Sequence, residues 1–441
     1  MKISRIDLWH VKVPLKAPFH PSWIPGFAQT ENRFTLVRIA TADGAEGWSA
    51  APAMGQERSG LGQLLGPYFL GERADDIVGV RQRIREMGYL GWRCGWLEAA
   101  CWDLVGRARG VPVWELLGGR GGRVQLYAST GEVRTGQARV DEVLARMEEG
   151  FTGVKLRVHA DTLDQDIEQL RSTRAGVGDD VILGVDANQG WRVAVVADAP
   201  KWDYDRAEAF CKAAADHGLQ WVEEPLAMDG YDDLARLRAA TTVDLTGGEL
   251  NNQGLPEFGV MIERGCYDVY QPDAVFTGGI AETLAIARRV EAAGYKYTPH
   301  TWTNGIGFAI NLQLYACSKH RDVKLLEYPF DPPGWLPRER DGVLKEPWTH
   351  QDGWLDVPTS PGLGFEIDRA ALGRYGKHYF TATPVRVAIS AVLDKGIATA
   401  KALGKVRDKR LADRSAALDA ATVDPAQAGL DALGITPLDA A

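Results

Sequence analysis

The chain has few cysteines and no long apolar run, and both shortages limit the classes of protein to which it can belong. Its five cysteines are scattered and form no CxxC pair, which favours reduced, mostly buried thiols in a cytosolic protein. No segment reaches the roughly 18 apolar residues of a membrane span. The first residues, MKISRIDLWHVKVPL, lack the apolar core of a signal peptide. We therefore expect a cytoplasmic protein without a membrane partner.

Clustered positive charge is also missing. The chain has 50 Lys and Arg against 59 Asp and Glu, a formal net charge of −9, and no basic cluster offers a face for phosphates. We therefore expect no nucleic-acid partner. The length of 441 residues exceeds a typical single domain, so two domains with an appendage are expected.

Residues 1–123 have the pattern of an α+β domain. MKISRIDLWHVKVPL predicts a strand, and FTLVRIATADGAEGWSA predicts a hairpin that turns at Asp43 and Gly44. Helical patterns follow from about Ala74 to Leu117. Two long loops, 20–33 and 51–59, are candidates for substrate recognition, because long loops in compact domains are often functional.

The pattern changes at residue 124. Eight strand candidates alternate with helical segments, and successive strands begin 24–39 residues apart. This alternation predicts an α/β fold of the (β/α)₈ TIM-barrel type over residues 124–335. The predicted strands begin near Val124, Gly153, Val181, Gln220, Asp244, Val269, Tyr295 and Leu325.

Two segments follow the barrel pattern. Residues 336–385 are rich in loops and are expected to return to the N-terminal domain. Residues 386–441 begin as an Ala-rich helical extension, which we interpret as a surface helix or an oligomer contact. An insertion between Trp191 and Asp203 is expected on the active face of the barrel.

Acidic residues close three successive predicted strands. Asp186 ends VILGVD, Glu223 ends QWVE, and Glu249 follows DLTGG. The carboxyl ends of barrel strands meet at one face, where barrels keep their chemistry. Three converging carboxylates would repel one another without a hard cation, and Mg²⁺ prefers oxygen ligands. The pattern predicts a Mg²⁺ site.

A histidine closes a later predicted strand. His300 ends YKYTPH, and Asp273 lies 27 residues earlier, which is one βα unit. A carboxylate on one imidazole nitrogen fixes the tautomer and raises the basicity of the other nitrogen. We interpret His300 as a general base and acid that Asp273 orients.

These motifs together resemble the enolase superfamily and, within it, the mandelate racemase subgroup, over roughly residues 1–380. The ordered set carries the resemblance, since any one motif alone is weak. Its members are WDLVGRARGVPVWELLGG (102–119), Lys155-Leu156-Arg157, VDANQGW, WVEEP, GGEL, QPDA and TPHTW. The resemblance implies a capping domain, a modified (β/α)₇β barrel, one Mg²⁺ and abstraction of the proton alpha to a carboxylate. It also implies a homo-oligomer.

The resemblance assigns roles to further residues. Asn188 would contact a substrate oxygen, and Glu327, at the end of LLEYPF, would donate a hydrogen bond to the substrate carboxylate when protonated. Lys155 and Arg157 share one strand face, since side chains alternate along a strand. The family usually has Lys at both places, with the second acting as a base opposite the histidine.

Arg157 departs from that family pattern. Arginine is effectively always charged and accepts protons poorly. Racemisation needs a base on each face, so it is disfavoured, whereas one histidine suffices for a dehydration. We therefore predict a lyase that dehydrates a sugar acid to a 2-keto-3-deoxy acid. An epimerase, racemase or cycloisomerase on a related carboxylate stays open, as does a guanidinium base or a non-catalytic relative.

Other residues are weaker candidates. His20 and Trp23 in the first loop, and Trp302 after the histidine strand, are predicted to contact the small-molecule carboxylate substrate. A structural salt bridge is the favoured interpretation of Glu224, and a solvated loop position that of His159. Glu57 and Arg58 in the second loop would suit a polyol tail. Trp23 and Phe27 in the first loop would suit an apolar substrate, and both alternatives stay open.

Overall fold

A computed structural model describes residues 1–192 and 200–436 of the chain. An antiparallel sheet opens it, with β1 paired to β2 and β2 to β3. The predicted hairpin is confirmed, because residues 42–44 turn and Gly44 has a φ of +93°. Four helices follow. The elements are β1 Ile3–Phe19, β2 Gln29–Thr41, β3 Glu46–Pro52, α1 Leu61–Phe69, α2 Ile77–Tyr89, α3 Leu97–Arg109 and α4 Val113–Leu116.

Two local predictions in this region were wrong. The structure adds α1, whose Pro67 and weak caps hid it from the sequence pattern. β2 begins at Gln29 instead of Phe34, because Asn32 pairs with Val13 and Glu31 with Pro14 of β1. The first candidate loop therefore covers residues 20–28 only.

The second sheet is a curled parallel sheet with helices between its strands. Its order is β10-β9-β8-β7-β6-β5-β4-β11, so β4 to β10 follow one another as in the sequence, and the last strand of the series, β11, pairs with the first, β4. Every one of the eight predicted strands begins within one residue of its predicted start. The elements are β4 Arg123–Ser129, α5 Gly136–Glu148, β5 Gly153–Arg157, α6 Leu163–Val177, β6 Ile182–Asp186, α7 Tyr204–Asp216, β7 Trp221–Glu223, α8 Tyr231–Ala240, β8 Asp244–Gly247, α9 Leu255–Arg264, β9 Val269–Tyr270, α10 Ile280–Ala292, β10 Lys296–Tyr297, α11 Gly305–Tyr315 and β11 Leu326–Pro329.

The remaining chain returns to both sheets, and its last described helix packs on the N-terminal domain. β12 pairs with β4, and β13 adds an edge strand to β1. Three helices follow β13. Part of the predicted insertion, residues 193–199, lies outside the described residues. The elements are α12 Pro337–Arg340, β12 Trp354–Asp356, α13 Arg369–Tyr375, β13 Gly376–Ala382, α14 Pro384–Lys395, α15 Ile397–Ala420 and α16 Pro425–Asp431.

Two hydrophobic cores hold this architecture. One lies inside the parallel sheet and its helices. The other joins Trp48 and Trp102 of the N-terminal domain to Ile280 and Ile310 on α10 and α11. The domain therefore sits firmly on one part of the barrel. All five cysteines are buried and unpaired, and none of the described helices has the length and apolarity to cross a bilayer.

Candidate active site

Adjacent parallel strands bring the predicted acidic and basic side chains to one end of the curled sheet. Arg157 on β5 pairs in register with Asp186 on β6, and Asp186 pairs with Glu223 on β7. The three side chains point the same way because parallel strands in register share their pleat. Glu249 follows two residues after β8.

Lys155 lies at the centre of the acidic side chains. Its Nζ is 2.8 Å from Oε1 of Glu223, 2.6 Å from Oε1 of Glu327 and 3.6 Å from Oδ2 of Asp186. Burial opposes its charge, but Glu223 and Glu327 outweigh that effect and raise the Lys155 pKa above its ordinary value. Lys155 is therefore a buried ammonium that holds the acids together.

The carboxyl groups around Lys155 differ in the direction in which their pKa is shifted. Burial and the nearby Asp186 raise the pKa of Glu223 to about 7, although Lys155 opposes them. Burial also acts on Glu327, but Lys155 and His300 reverse it and hold the Glu327 pKa near 2. As it stands, Glu327 is an ionised acceptor rather than the protonated donor that the resemblance implies. The amide of Thr301 donates to its Oε2 at 2.7 Å.

Arg157 is held on every side. Its Nε donates to the carbonyl of Thr130 at 2.7 Å, and its Nη1 donates to Asp186. The guanidinium lies 5.2 Å from the ring centre of Trp23 and 5.7 Å from that of Trp302. Burial works against its charge, but Asp186 overcomes it and raises the Arg157 pKa. Those two rings also touch each other, with their centres 4.9 Å apart, so Arg157 is a fixed cation beside a pair of indoles.

His300 makes the predicted pair with Asp273. Nδ1 of His300 is 3.0 Å from Oδ2 of Asp273, whose Oδ1 accepts from Asn311 at 2.7 Å. Nε2 is 3.1 Å from Oε2 of Glu249. Burial lowers the His300 pKa, but Glu249, Glu327 and the bond to Asp273 raise it to about 10. Without a change at Glu249, the imidazole is therefore protonated.

A cavity of about 460 Å³ opens above these groups. Arg157, His300 and Glu249 form part of its wall, and Asn188, Trp23 and Trp302 line it as predicted for substrate contacts. Lys155, Asp186, Glu223, Asp273 and Glu327 are absent from the lining and support the wall from behind. The remaining walls include Ile24, Phe27, Met54, Trp191, Leu250 and Phe276.

Two histidines stay apart from the cavity. His20 is exposed, and its Nδ1 lies 3.5 Å from Glu132. His159 is half-buried and does not line the cavity, and burial lowers its pKa. The structure therefore does not bring His20 to the site with Trp23.

Sequence reasoning missed Ser129. The Ser129 hydroxyl accepts from Nε1 of Trp302 at 2.6 Å and donates to Oε1 of Glu327 at 2.9 Å. It thus links a cavity wall to the acidic cluster. Ser129 closes β4, so the strand-end rule that found Asp186 could have found it too. Trp191, whose Nε1 donates to Glu249 at 3.1 Å, lies in an irregular segment that gave no such signal.

Glu224 contradicts the salt-bridge interpretation. Both of its carboxyl oxygens are buried without a hydrogen-bond partner, and no ion pair involves it in the described chain. Burial and the charge of Glu249 raise its pKa well above the ordinary value. Glu224 and Asn188 both have a φ of +48°, a left-handed backbone that asparagine tolerates and that is strained for glutamate. Such strain clusters at functional sites.

The charges of the site fit a divalent cation. Five acidic side chains (Asp186, Glu223, Glu249, Asp273 and Glu327) meet three basic ones (Lys155, Arg157 and His300) through direct ion pairs. The formal excess is two negative charges in a buried space, where uncompensated charge is costly.

In the described ranges, no three Asp, Glu, His or Cys side chains already form a ligand group. Lys155 and Arg157 instead bond the oxygens of Asp186 and Glu223. A cation at these acids would replace part of those contacts. The donor set is therefore chemically suited to Mg²⁺, with oxygen ligands of the preferred kind.

Known proteins share both the sequence and the shape of this chain. The D-galactarolactone cycloisomerase of Agrobacterium fabrum is 28% identical over 391 residues, which cover 85% of this chain and 99% of that protein. The arabinonate dehydratase of Saccharolobus solfataricus is 27% identical over 80% of this chain and 93% of its own length. The crystal structure of the 3,6-anhydro-D-galactonate cycloisomerase of Zobellia galactanivorans superimposes with a TM-score of 0.72, at 25% identity, over 86% of this chain and all of that one.

Two family models match the two domains. Residues 5–118 match the mandelate racemase/muconate lactonizing enzyme N-terminal domain, and residues 138–371 match the enolase C-terminal domain-like model. The antiparallel sheet and the curled parallel sheet correspond to these two units. The chain therefore belongs to the mandelate racemase/muconate lactonizing enzyme group of the enolase superfamily.

Proposed function

We propose that the protein is a Mg²⁺-dependent lyase that dehydrates a sugar acid to a 2-keto-3-deoxy acid. The observation that carries the proposal is the asymmetry of basic groups at the cavity. His300 is a titratable imidazole with an orienting carboxylate, whereas Arg157 is a fixed cation bonded to Asp186 beside the rings of Trp23 and Trp302. One base is enough for an elimination, and a second is needed for racemisation.

His300 would move the proton in both directions. Its Nε2 takes the proton from the carbon alpha to the substrate carboxylate, which leaves an enediolate. The same nitrogen then returns the proton to the beta hydroxyl, which departs as water. The resulting enol tautomerises to the 2-keto-3-deoxy acid, so atoms and charge balance. Asp273 holds Nδ1 at 3.0 Å throughout.

His300 must first be neutral. Glu249 is the largest contributor among the groups that raise its pKa to about 10. When Glu249 engages a cation instead, that contribution falls and the imidazole can act as a base near neutral pH. The fixed charges of Lys155 and Arg157 would stabilise the negative charge that develops on the substrate.

Asp186, Glu223 and Glu249 are the residues that would hold Mg²⁺. When bound, the ion supplies positive charge against the enediolate oxygens. The two excess negative charges of the cluster support this assignment. Asn188, Trp23 and Trp302 would contact the substrate in the cavity.

Cycloisomerisation is the second candidate. It uses the same abstraction by His300 but expels a ring oxygen instead of a hydroxyl. Many polar groups of the cavity are already bonded within the protein, such as Asn32 to the carbonyl of Arg340, and several walls are aromatic. Such walls suit the C–H face of a ring. The similarity to the two cycloisomerases named above points the same way.

The test is a screen of linear C4–C6 sugar acids, their lactones and anhydro sugar acids with Mg²⁺, read as keto acid by semicarbazide and as product by NMR. His300→Asn should abolish turnover, and the matched variant His320→Asn, outside the site, should retain it. A linear substrate that yields a keto acid supports the lyase, and a cyclic one supports the cycloisomerase.

The opposite outcomes are equally clear. Inversion of recovered substrate with deuterium uptake from solvent would establish an epimerase or racemase and would contradict the single-base assignment. Full activity of His300→Asn would remove that residue from the reaction. No turnover of the whole panel, together with no Mg²⁺ binding by calorimetry, would support a non-catalytic relative.

A further inference from the structure

The C-terminal extension contains two helices without a core of their own. None of the residues of α14 and α15 is buried, although together they span 36 residues. Most helical stability in proteins comes from packing of an apolar face. Helices without a fully buried residue in the single chain therefore have little of the packing that usually stabilises a helix.

The later part of the extension is anchored to the N-terminal domain, and the earlier part is largely exposed. Arg410 pairs with Glu72 and Arg414 with Asp76 of the N-terminal domain, while Leu430 of α16 is buried beside it. The segment before these anchors, residues 384–406, comprises α14 and the first half of α15. We call it the tail hairpin. Its two helices pack on each other, and α14 touches α1 through Val387 near Gly66.

The tail hairpin exposes most of its large apolar side chains. Leu393 is 81% and Ile397 is 73% exposed, on either side of the turn at Gly396. Five more large apolar side chains are exposed on the same hairpin: Val385, Ile389, Val392, Leu403 and Val406. At roughly 100 Å² for a fully exposed aliphatic side chain, the seven leave about 400 Å² of apolar surface in water.

That area matches one side of a standard interface between proteins. Such interfaces bury about 800 Å² per partner, of which a little over half is apolar. The largest apolar patch on an ordinary monomer is about 300–600 Å² and often functional. The tail hairpin thus has the apolar surface that one half of a stable contact requires.

Charge indicates the partner. Residues 384–406 hold Arg386, Lys395, Lys401 and Lys405 against Asp394, a formal charge of +3, while the whole chain is −9 and the remainder is therefore −12. Two tail hairpins face to face would bring like charges together. We call the rest of the chain, with its formal charge of −12, the acidic body. A tail hairpin on the acidic body of another copy brings opposite charges together, so this contact is favoured over one between two tail hairpins.

We propose that the tail hairpin is an arm that docks on the acidic body of a second copy of this chain and joins the copies into an assembly. The matches to the two family models end at residue 371, so the arm is an addition to the shared fold. The proposal is independent of the reaction, since no residue of the tail hairpin lines the substrate cavity.

The first test changes the exposed tip in the full-length protein. Leu393→Glu combined with Ile397→Glu alters solvent-exposed positions, so the fold should survive. Val323→Glu, at a barrel position that is 74% exposed, is the matched control. Sedimentation velocity should show an assembly in the parent and the control, and about tenfold or greater weakening of association in the double variant. Added salt should weaken the parent assembly.

The second test identifies what the arm touches. Parent chains labelled with ¹⁴N and ¹⁵N are mixed and treated with a zero-length carbodiimide reagent, which joins amines to carboxylates. Lys401 or Lys405 should link to Asp or Glu of the other isotope. Links confined to one isotope would overturn the proposal.

Three further results would also overturn it. The first is a parent protein that is monomeric at micromolar concentration. The second is an assembly that the double variant leaves unchanged. The third is that the double variant loses binding to phosphatidylserine vesicles while its assembly stays the same. The last result would assign the arm to an anionic membrane surface. Circular dichroism of both variants shows whether the fold is intact.

Discussion

At the scale of single residues, the two buried cations of the site differ in the contacts that hold them. Lys155 and Arg157 are both buried and bonded to acids, but Arg157 also lies against two neighbouring indole rings. A planar guanidinium stacks on aromatic faces and spreads its charge over several donors, which an ammonium cannot do. Arg157 is thereby suited to a constant electrostatic role.

Substitution of Arg157 tests that role. Arg157→Lys should retain a charge but lose the stacked, multidentate contacts, and we expect kcat to fall about tenfold. Arg157→Met removes the charge, and kcat should fall by roughly 10²–10³, as for loss of one preorganised donor. Steady-state kinetics with the substrate from the screen measure both. Arg171→Met, on the exposed face of α6, is the control, and equal activity of all variants would contradict the assignment.

Glu249 tests the metal site. Glu249→Gln removes one negative charge and one anionic ligand, so Mg²⁺ affinity measured by calorimetry should fall by about 10–100-fold or more. The control Glu263→Gln changes an exposed carboxylate on α9 and should bind Mg²⁺ like the parent. Unchanged affinity in Glu249→Gln, with unchanged circular dichroism, would show that the cation binds elsewhere.

At the scale of elements, close approach of backbone decides how the N-terminal sheet packs on its helix. Gly47 on β3 faces α3, and a Cβ there would lie 2.1 Å from the carbonyl oxygen of Ala100 and 2.6 Å from the amide of Leu104. Both neighbours are backbone atoms of one helix and cannot turn aside. The sequence EGWSAAP predicts a strand without showing that its glycine is a packing site.

Gly47→Ala should therefore destabilise the fold. Overpacking of a close contact costs about 1–3 kcal/mol, which urea denaturation can measure. Gly373→Ala on α13 is the matched control, because a Cβ there meets nothing within 4 Å and alanine favours a helix. If the two variants have the same free energy of unfolding, the close packing of β3 on α3 is wrong.

At the scale of the whole molecule, a buried acid lies where the N-terminal domain meets the barrel. Glu98 on α3 is fully buried, and its Oε2 accepts from the amide of Ala281 on α10 at 3.2 Å. Burial raises the Glu98 pKa to about 7, although Arg81 and that amide oppose it. The contact between domains therefore includes an ionisable group.

The raised pKa of Glu98 predicts the direction in which the stability of the fold changes with pH. Glu98 binds its proton more tightly in the folded than in the unfolded state, so its contribution is complete below about pH 4 and is lost as pH rises through about 7. Glu98→Gln should remove roughly 2–3 kcal/mol of that pH dependence, measured by urea denaturation between pH 5 and about 8. Glu346→Gln, at an exposed position, should follow the parent. A parallel profile for parent and Glu98→Gln would contradict the burial of a protonated acid.

The local pattern of the sequence determined much of this protein. Strand starts followed from short apolar runs, because a strand in a buried parallel sheet needs continuous apolar residues. The acids and the histidine at strand ends were predictable for the same reason, since parallel strands place those ends at one edge. Asn188, Trp23 and Trp302, which the sequence suggested as substrate contacts, line the cavity, and their contact with a substrate stays a prediction.

Only the tertiary structure decided the contacts between distant segments. It brought Trp23 and Trp302 together beside Arg157, left Glu224 without a donor among the described residues, and kept His20 out of the cavity. Each result depends on loops whose paths no periodic pattern specifies. The exposure of α14 and α15 was also decided by the tertiary structure, because a helical pattern shows that a face is apolar but not whether another segment covers it.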